Sequence, residues 1–389
     1  MERILILAML LAVCYLLLRY DDLIPRGGGL GVMVLLTVSF AVRWWLWDRV
    51  PSAAEDTVRD ALTWFRGAGG FWGLRSCAEP FSPAMQAVLA LCSLRFRGSL
   101  DTFKYLSLLS DIFTAWFLQR CVRQVQGAPG PRRRVFVLFL LLPSVVLQGC
   151  SSMGEGFRFL WILAAAGAAA GGKGVLAGVF LGLGCAFHPM MLCLLPVFWC
   201  FPVIRQNTLR TLGPAVGVYF LAALPSMILG RGPALTLPFW PPADLLKDRL
   251  PFGGAPGLYA LPQFAPPVYA GIAAYSIIAL LLIFRLGGRD AVHDRRRQLG
   301  ALCCAAAGLG ALLPWTGISI LYGAEALVLA LAVLEPGMTT AALCLILSSG
   351  YVQLREYFPA LLPWPAWYAA AAALLGTVIL FGYGMFKKS

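Results

Sequence analysis

The sequence predicts an all-α polytopic membrane protein with about 13 transmembrane helices, and three observations carry that expectation. Apolar runs of helix-spanning length recur along the whole chain. The chain is 60% hydrophobic and 13% charged, where soluble domains carry roughly 25% charged residues. Its arginines fall in the short gaps between the runs, most densely at Arg132-Arg133-Arg134 and Arg295-Arg296-Arg297. Positive charge in short loops marks the cytoplasmic side of a membrane. Residues 1–389 therefore read as a single integral membrane domain.

The expected spans are roughly 3–19, 28–46, 103–122, 135–149, 157–171, 174–187, 189–203, 212–229, 267–285, 298–313, 320–334, 338–352 and 366–385. The first follows Met1-Glu2-Arg3 as an apolar run, Ile4 to Leu18, with no small-residue cleavage site, so it reads as retained. Within 174–203, His188-Pro189 interrupts the apolar stretch. Proline removes a backbone donor, so two short helices are expected to meet there. Three basic segments, Arg123–Arg134, Arg285–Arg297 and Lys387-Lys388, are taken as cytoplasmic, and the spans between them then alternate consistently. The C-terminus is cytoplasmic in this scheme and the membrane is the plasma membrane.

Residues 81–96 are apolar enough for a span, but a span there would break the alternation. They read as a helix lying at the outer interface, which makes 47–102 one large outer loop. Glu55 to Phe65 places Val58, Leu62 and Phe65 at helical spacing among acids, a second interfacial helix ended by Gly67 and Gly69-Gly70. The later outer loop, 230–266, is dense in Pro, Gly and aromatics and reads as a stiff non-helical cover.

A net charge of +13 would suggest nucleic acid in a soluble protein. Here the excess sits in candidate cytoplasmic loops, where the lipid bilayer accounts for it, so nucleic acid is excluded as a partner. Most of the 11 cysteines lie in apolar runs as small hydrophobes, and no zinc-like spacing appears. Cys77 and Cys150 fall in outer loops, where a disulfide is one option.

The polar residues of the outer side and the spans carry two readings each. Glu55, Asp56 and Asp60 are either a solvated helix face or carboxylates positioned for proton transfer. Glu155 sits between Gly154 and Gly156, which permit a tight backbone, and is either functional or an ordinary loop acid paired with Arg158. Asp111, inside a span, is either a functional acid or, by preference, a hydrogen-bond partner that holds helices together, with Ser107 or Ser110 as its mate. Lys104 and Arg43 either bind a phosphate or snorkel. His188 either faces the outer cavity or caps the break, and Glu325 has no evident partner, so it is expected to line the cavity.

Several short stretches in fixed order resemble the GT-C glycosyltransferases, nearest to bacterial relatives of the GPI mannosyltransferases. They are Trp64-Phe65-Arg66 with Gly69-Gly70-Phe71, then Phe81-Ser82-Pro83, then Lys104-Tyr105-Leu106-Ser107-Leu108-Leu109-Ser110-Asp111. Pro143-Ser144-Val145 through Glu155, Gly174 to Pro196, and Ala255-Pro256-Gly257-Leu258-Tyr259-Ala260-Leu261 continue the series. The likeness covers roughly 40–335. The chain departs from the family's Asp-Tyr near Ala53 or Ala54, offering Glu55 and Asp56 one to three residues on. It carries Glu155 about one position off the family's second-loop acid, and Thr316-Gly317-Ile318-Ser319-Ile320 replaces a His-Glu-Arg motif.

The resemblance implies transfer of a hexose, mannose by preference, from a polyprenyl-phosphate carrier to an acceptor at the outer face. Such transfer needs a carboxylate for the acceptor hydroxyl and cations or a divalent metal for the leaving phosphate. The resemblance and the chemistry nominate Asp56 or Glu55 as base and Glu155 as second acid or metal ligand. Arg59, Lys104, Arg158, His188, Arg231, Tyr259 and Glu325 are the candidate substrate contacts. Two alternatives stand beside this one: the same scaffold without catalysis, binding a lipid carrier or a partner, and a lipid or solute transporter or flippase.

Overall fold

The structure is a computed structural model that describes residues 2–24, 29–50, 53–77, 81–95, 99–151, 154–232, 268–286, 294–313, 321–357 and 376. Every regular element among the described residues is helical. Helix α1 (Glu2–Tyr20) buries Leu7, Leu10, Cys14 and Leu18 at three- and four-residue steps, one stripe of a 3.6-residue helix. Its other face leaves Leu5, Met9 and Leu16 exposed. Helix α2 (Leu30–Leu46) follows, then α3 (Ala53–Gly67), a 3-10 turn (Gly70–Arg75) and α4 (Pro83–Ser93). Gly67 ends α3, and Gly69 and Gly70 take positive φ, the backbone turn that the glycine cluster predicts.

The Phe-Ser-Pro motif is a helix start. The Ser82 hydroxyl accepts from the Met85 N–H at 3.3 Å and donates to the Phe187 carbonyl at 2.8 Å, and Pro83 occupies the first turn, where its missing N–H costs nothing. Val58, Ala61, Leu62 and Phe65 of α3 meet Met85, Leu89 and Ala90 of α4 in a small core closed by Phe103. The segment thus forms a two-helix cap on α5 (Ser99–Val125). Helix α5 is the hub of the fold and also touches α1, α6 (Pro129–Leu141), α7 (Pro143–Cys150) and α8 (Glu155–Ala170).

Helices α6 and α7 are one apolar stretch bent by 50° at Leu142-Pro143. The expected span at 189–203 is broken into a 3-10 turn (Pro189–Leu194), α10 (Leu195–Phe198) and α11 (Pro202–Gln206), following α9 (Gly174–Phe187). Pro189, Pro196 and Pro202 each sit in the first turn of one piece, so none continues its predecessor. Helix α12 (Thr208–Ile228) completes this part, and α13 (Val268–Leu286), α14 (Arg295–Leu312), α15 (Leu321–Leu334) and α16 (Thr339–Tyr357) form the rest.

Among the described residues three helical segments are long and apolar enough to cross a membrane, Glu2–Tyr20, Thr208–Ile228 and Pro336–Arg355, and the bent pair makes a fourth if counted as one. Other expected spans coincide with helices that are too short, such as α2 and α15, or that open on a charge cluster, such as α14. Ile277, Leu280, Leu281 and Phe284 of α13, and Val216, Leu221, Leu224 and Ile228 of α12, point outward. Exposed apolar stripes of this extent suit hydrocarbon better than water. The expected span 366–385, apart from Gly376, the Lys387-Lys388 tail, residues 233–266 of the Pro-rich cover and residues 314–320 lie outside the described residues.

Helix ends alternate between two poles. At the cap pole, Arg3 of α1 pairs with Asp48 after α2 and with Asp101 of α5, and Arg231 after α12 reaches Gln86 of α4. At the basic pole, Asp21 after α1 meets α5 and α6, and Gln124, Gly171, Asn207 and Arg295 surround one cleft.

Helices α9 and α12 pack backbone to backbone. A Cβ on Gly178 would collide with the Thr211 backbone, and one on Gly182 with the Ala215 backbone. Small residues four apart let two helices touch main chain to main chain. Gly178→Leu is expected to destabilise the fold by roughly 1–3 kcal/mol or more, read as a lower melting temperature and loss of monodisperse protein on size exclusion.

Candidate functional site

One face of α5 carries the chemistry at the cap pole. Lys104, Ser107, Leu108 and Asp111 follow one another at three- and four-residue steps, and all are buried. Lys104 and Asp111 are two turns apart, about 10 Å along the axis.

At the cap-pole end of this face, Lys104 Nζ pairs with Glu55 Oε2 at 2.9 Å and donates to the Trp47 carbonyl at 2.9 Å. It also lies 5.6 Å from the Trp47 ring centroid, a cation–π contact. The Trp47 indole donates to Asp101 Oδ1 at 2.8 Å. Arg59, one helical turn along α3, donates to the other Glu55 oxygen at 2.9 Å. Glu55 is therefore held by two cations, and its role here is to fix α3 onto α5. Asp56, its neighbour, is exposed and has no ion pair or hydrogen bond among the described residues. Asp60 is exposed on the same helix.

The second acid approaches the same turn of α5 from the α7–α8 connection. Gly154 has φ 66°, and a Cβ there would sit 3.2 Å from Phe103 and 3.4 Å from Met85. Gly156 lies as close, its Cβ position 2.7 Å from Asp111 Oδ1. These glycines let Glu155 enter at the start of α8 with only 3% exposure. One Glu155 oxygen accepts from Arg158, and Oε2 is buried with no hydrogen-bond partner among the described residues.

Deeper in, the expected partner of Asp111 is corrected. Ser107 and Ser110 do not hold it: the Ser110 hydroxyl donates to the Ser107 carbonyl at 2.7 Å. The donor to Asp111 Oδ1 is the Tyr322 hydroxyl of α15, at 2.6 Å. Arg43 neither snorkels nor faces a phosphate site. It is 1% exposed, and its Nη1 donates to Ser39 and, at 2.8 Å, to the Leu140 carbonyl. That carbonyl ends α6, where the break before Pro143 leaves it free of the helix ladder, and Ser39 also bonds it at 2.6 Å. Glu325, one turn from Tyr322, accepts from Ser144 at the start of α7, and its Oε1 has no partner among the described residues. The expectation that Glu325 lines a cavity gives way to this buried contact at the bend.

Two further candidates serve structure. His188 Nδ1 accepts from the Met190 N–H at 3.2 Å, so the ring caps the 3-10 turn after α9. Arg231 donates to Gln86 Oε1 at 2.6 Å and ties the end of α12 to α4. Tyr259 lies outside the described residues. Cys77 and Cys150 are buried in separate apolar clusters and are not bonded to each other, against the disulfide option. Among the described residues no three His, Cys, Asp or Glu side chains gather as metal ligands. Glu55 and Glu155 each face a cation instead, so these residues do not fit a divalent metal.

At the basic pole lies a constellation that the sequence reading missed. Asp21 Oδ2 accepts from Trp116 Nε1 and from Gln119 Nε2, both at 2.7 Å, and the carboxylate pairs with Arg120, Arg123 and Arg132. Its sequence signal is only an acid directly after a span, opposite the Arg123–Arg134 cluster.

No protein-family model matches the chain, and no curated protein matches it either.

Proposed function

We propose that the chain is an integral membrane glycosyltransferase of the GT-C type, with about 13 crossings and the cap pole facing outward. It would move one hexose from a polyprenyl phosphate to an acceptor hydroxyl, with mannose the donor to test first. The observation that supports this most is the convergence of two loop acids on one turn of α5. Asp56 adjoins Glu55, which grips Lys104, while the glycine before Glu155 packs on Phe103.

In this reading Asp56 takes the proton from the acceptor hydroxyl as its oxygen bonds the anomeric carbon. The bond from that carbon to the phosphate oxygen breaks, and its electron pair leaves with the polyprenyl phosphate. Arg59, held to Glu55 through one guanidinium nitrogen and 60% exposed, has further N–H groups to meet the phosphate charge. Glu155, whose Oε2 is buried without a hydrogen-bond partner among the described residues, stands behind this site as the second acid.

Labelled transfer from polyprenyl-phosphate mannose and polyprenyl-phosphate glucose, by purified protein with and without divalent metal, tests this. Turnover that Asp56→Ala abolishes is the expected result. A second reading, the same scaffold without catalysis, draws on the sequestration of Lys104, Glu55 and one oxygen of Glu155 in ion pairs. It is favoured if neither donor is turned over while the lipid carrier still binds.

A further inference from the structure

The basic pole carries a cleft at the opposite end of α5 from Lys104. It opens between the last turns of α5, the end of α8 and the start of α9, with a volume of about 480 Å³. Its apolar walls are Trp116, Phe117, Leu176 and Phe180. Phe117 and Phe180 pack edge to face at 5.9 Å, and Trp116 meets Phe117 at 5.0 Å. Ala164, Gly167, Ala168 and Gly171 form the α8 side, and their small side chains leave the space open. Leu176 remains 40% exposed.

One end of this apolar cleft is cationic. Arg120, Arg123 and Lys173 line it. Arg120 lies 3.8 Å over the Trp116 ring, which fixes the guanidinium at the wall. Arg123 has 56% of its side chain exposed, and Lys173 is exposed with no side-chain partner among the described residues. The acids nearby are Asp21 and Asp22 on one side and, beyond Gln124, Asp294, which is paired with Arg297. Asp21 is shared among Arg120, Arg123 and Arg132, so three guanidinium groups and Lys173 face two carboxylates. The local balance is cationic by two charges.

We propose that this cleft is a binding site for an anionic phospholipid: its phosphate on Arg123, Lys173 and Arg120, its first acyl segment against Trp116, Phe117, Leu176 and Phe180. Aromatic and aliphatic walls beneath a cation cluster match the amphiphile's own order, with hydrocarbon toward the bundle middle and charge toward the pole. A soluble anion would use the cations but leave the apolar walls wet. A zwitterionic lipid would use the walls but leave the charge excess uncompensated.

Native mass spectrometry of the full chain in detergent, titrated with phosphatidylglycerol and with phosphatidylcholine of identical acyl chains, tests the assignment. Phosphatidylglycerol should bind about tenfold more tightly. Arg123→Gln with Lys173→Gln, both exposed, should erase that preference, while Arg210→Gln at the start of α12 should keep it. Leu176→Trp should block the cleft and weaken phosphatidylglycerol at unchanged charge. Excess inorganic phosphate should not displace the lipid. Equal binding of the two lipids, a preference surviving the double substitution, insensitivity to Leu176→Trp, or displacement by phosphate would each overturn it. None of these readouts depends on sugar transfer.

Discussion

Asp56→Asn is expected to lower hexose transfer about 10²–10⁴-fold, the range for loss of a general base, while leaving thermal stability within about 0.5 kcal/mol of the native chain. The contrast with its neighbour makes the measurement informative. Asp56 is exposed and without a partner among the described residues, so the amide replaces only a reactive oxygen. Glu55 is bound to Lys104, which is 2% exposed. Glu55→Gln removes the counter-charge of a buried ammonium, which typically costs about 3–5 kcal/mol. That substitution should therefore lower both the melting temperature and the rate. Transfer assays and melting curves on the two variants separate a base from an anchor. Full transfer by Asp56→Asn, with loss only in Glu155→Gln, would sink Asp56 as the base and move that role to the second acid.

Much of the helical layout was legible because apolar period and helix punctuation are local properties. Gly67 with Gly69-Gly70 closes α3 where the glycines predict, and His188-Pro189 breaks the long apolar stretch as its proline predicts. The same logic carried further finds Pro196 and Pro202, which divide 189–203 into pieces. The bend at Leu142-Pro143 is likewise a proline effect, hidden by an unbroken apolar run around it. The partners of the buried charges were not legible. Asp111 meets Tyr322 from 211 positions away, and Ser144 meets Glu325 across 181. No local pattern encodes such pairings, because they arise from which helix faces pack together. Ser107 and Ser110, close to Asp111 along the chain, were the only partners a one-dimensional reading offered, and the Ser110 hydroxyl bonds the Ser107 carbonyl instead. The candidate site divides the same way. Glycines flanking Glu155 and the pairing with Arg158 were readable at short range, whereas the capture of Lys104 by Glu55 required the fold of the cap onto α5.

The buried charges beneath the site give the second large effect, and it concerns stability. Arg43 and Asp111 enter from α2 and α5 and converge on the α7 residue Gly149. A Cβ at Gly149 would sit 2.9 Å from Asp111 Oδ2 and 3.9 Å from Arg43 Nε. Neither atom has a hydrogen-bond partner among the described residues, and Arg43 Nη2 has none either. No ion pair closer than 4 Å joins the two groups, so they act on each other through space across Gly149, each having lost its water. Asp111→Leu should therefore destabilise the chain by about 3–5 kcal/mol, because it strands the Arg43 guanidinium. Tyr322→Phe, which removes one donor to Asp111, should cost only about 1–3 kcal/mol. The decisive variant combines Arg43→Met with Asp111→Leu. Removing both charges together should recover most of the loss, since an apolar pair of similar volume has no desolvation to offset. Arg43 also bonds the Leu140 carbonyl freed at the bend, so the recovery should stop short of complete by about 1 kcal/mol. Melting curves of the three variants in one detergent read the series directly. A double variant no more stable than Asp111→Leu alone would mean that the two charges act independently, each fixed by its own helix contacts.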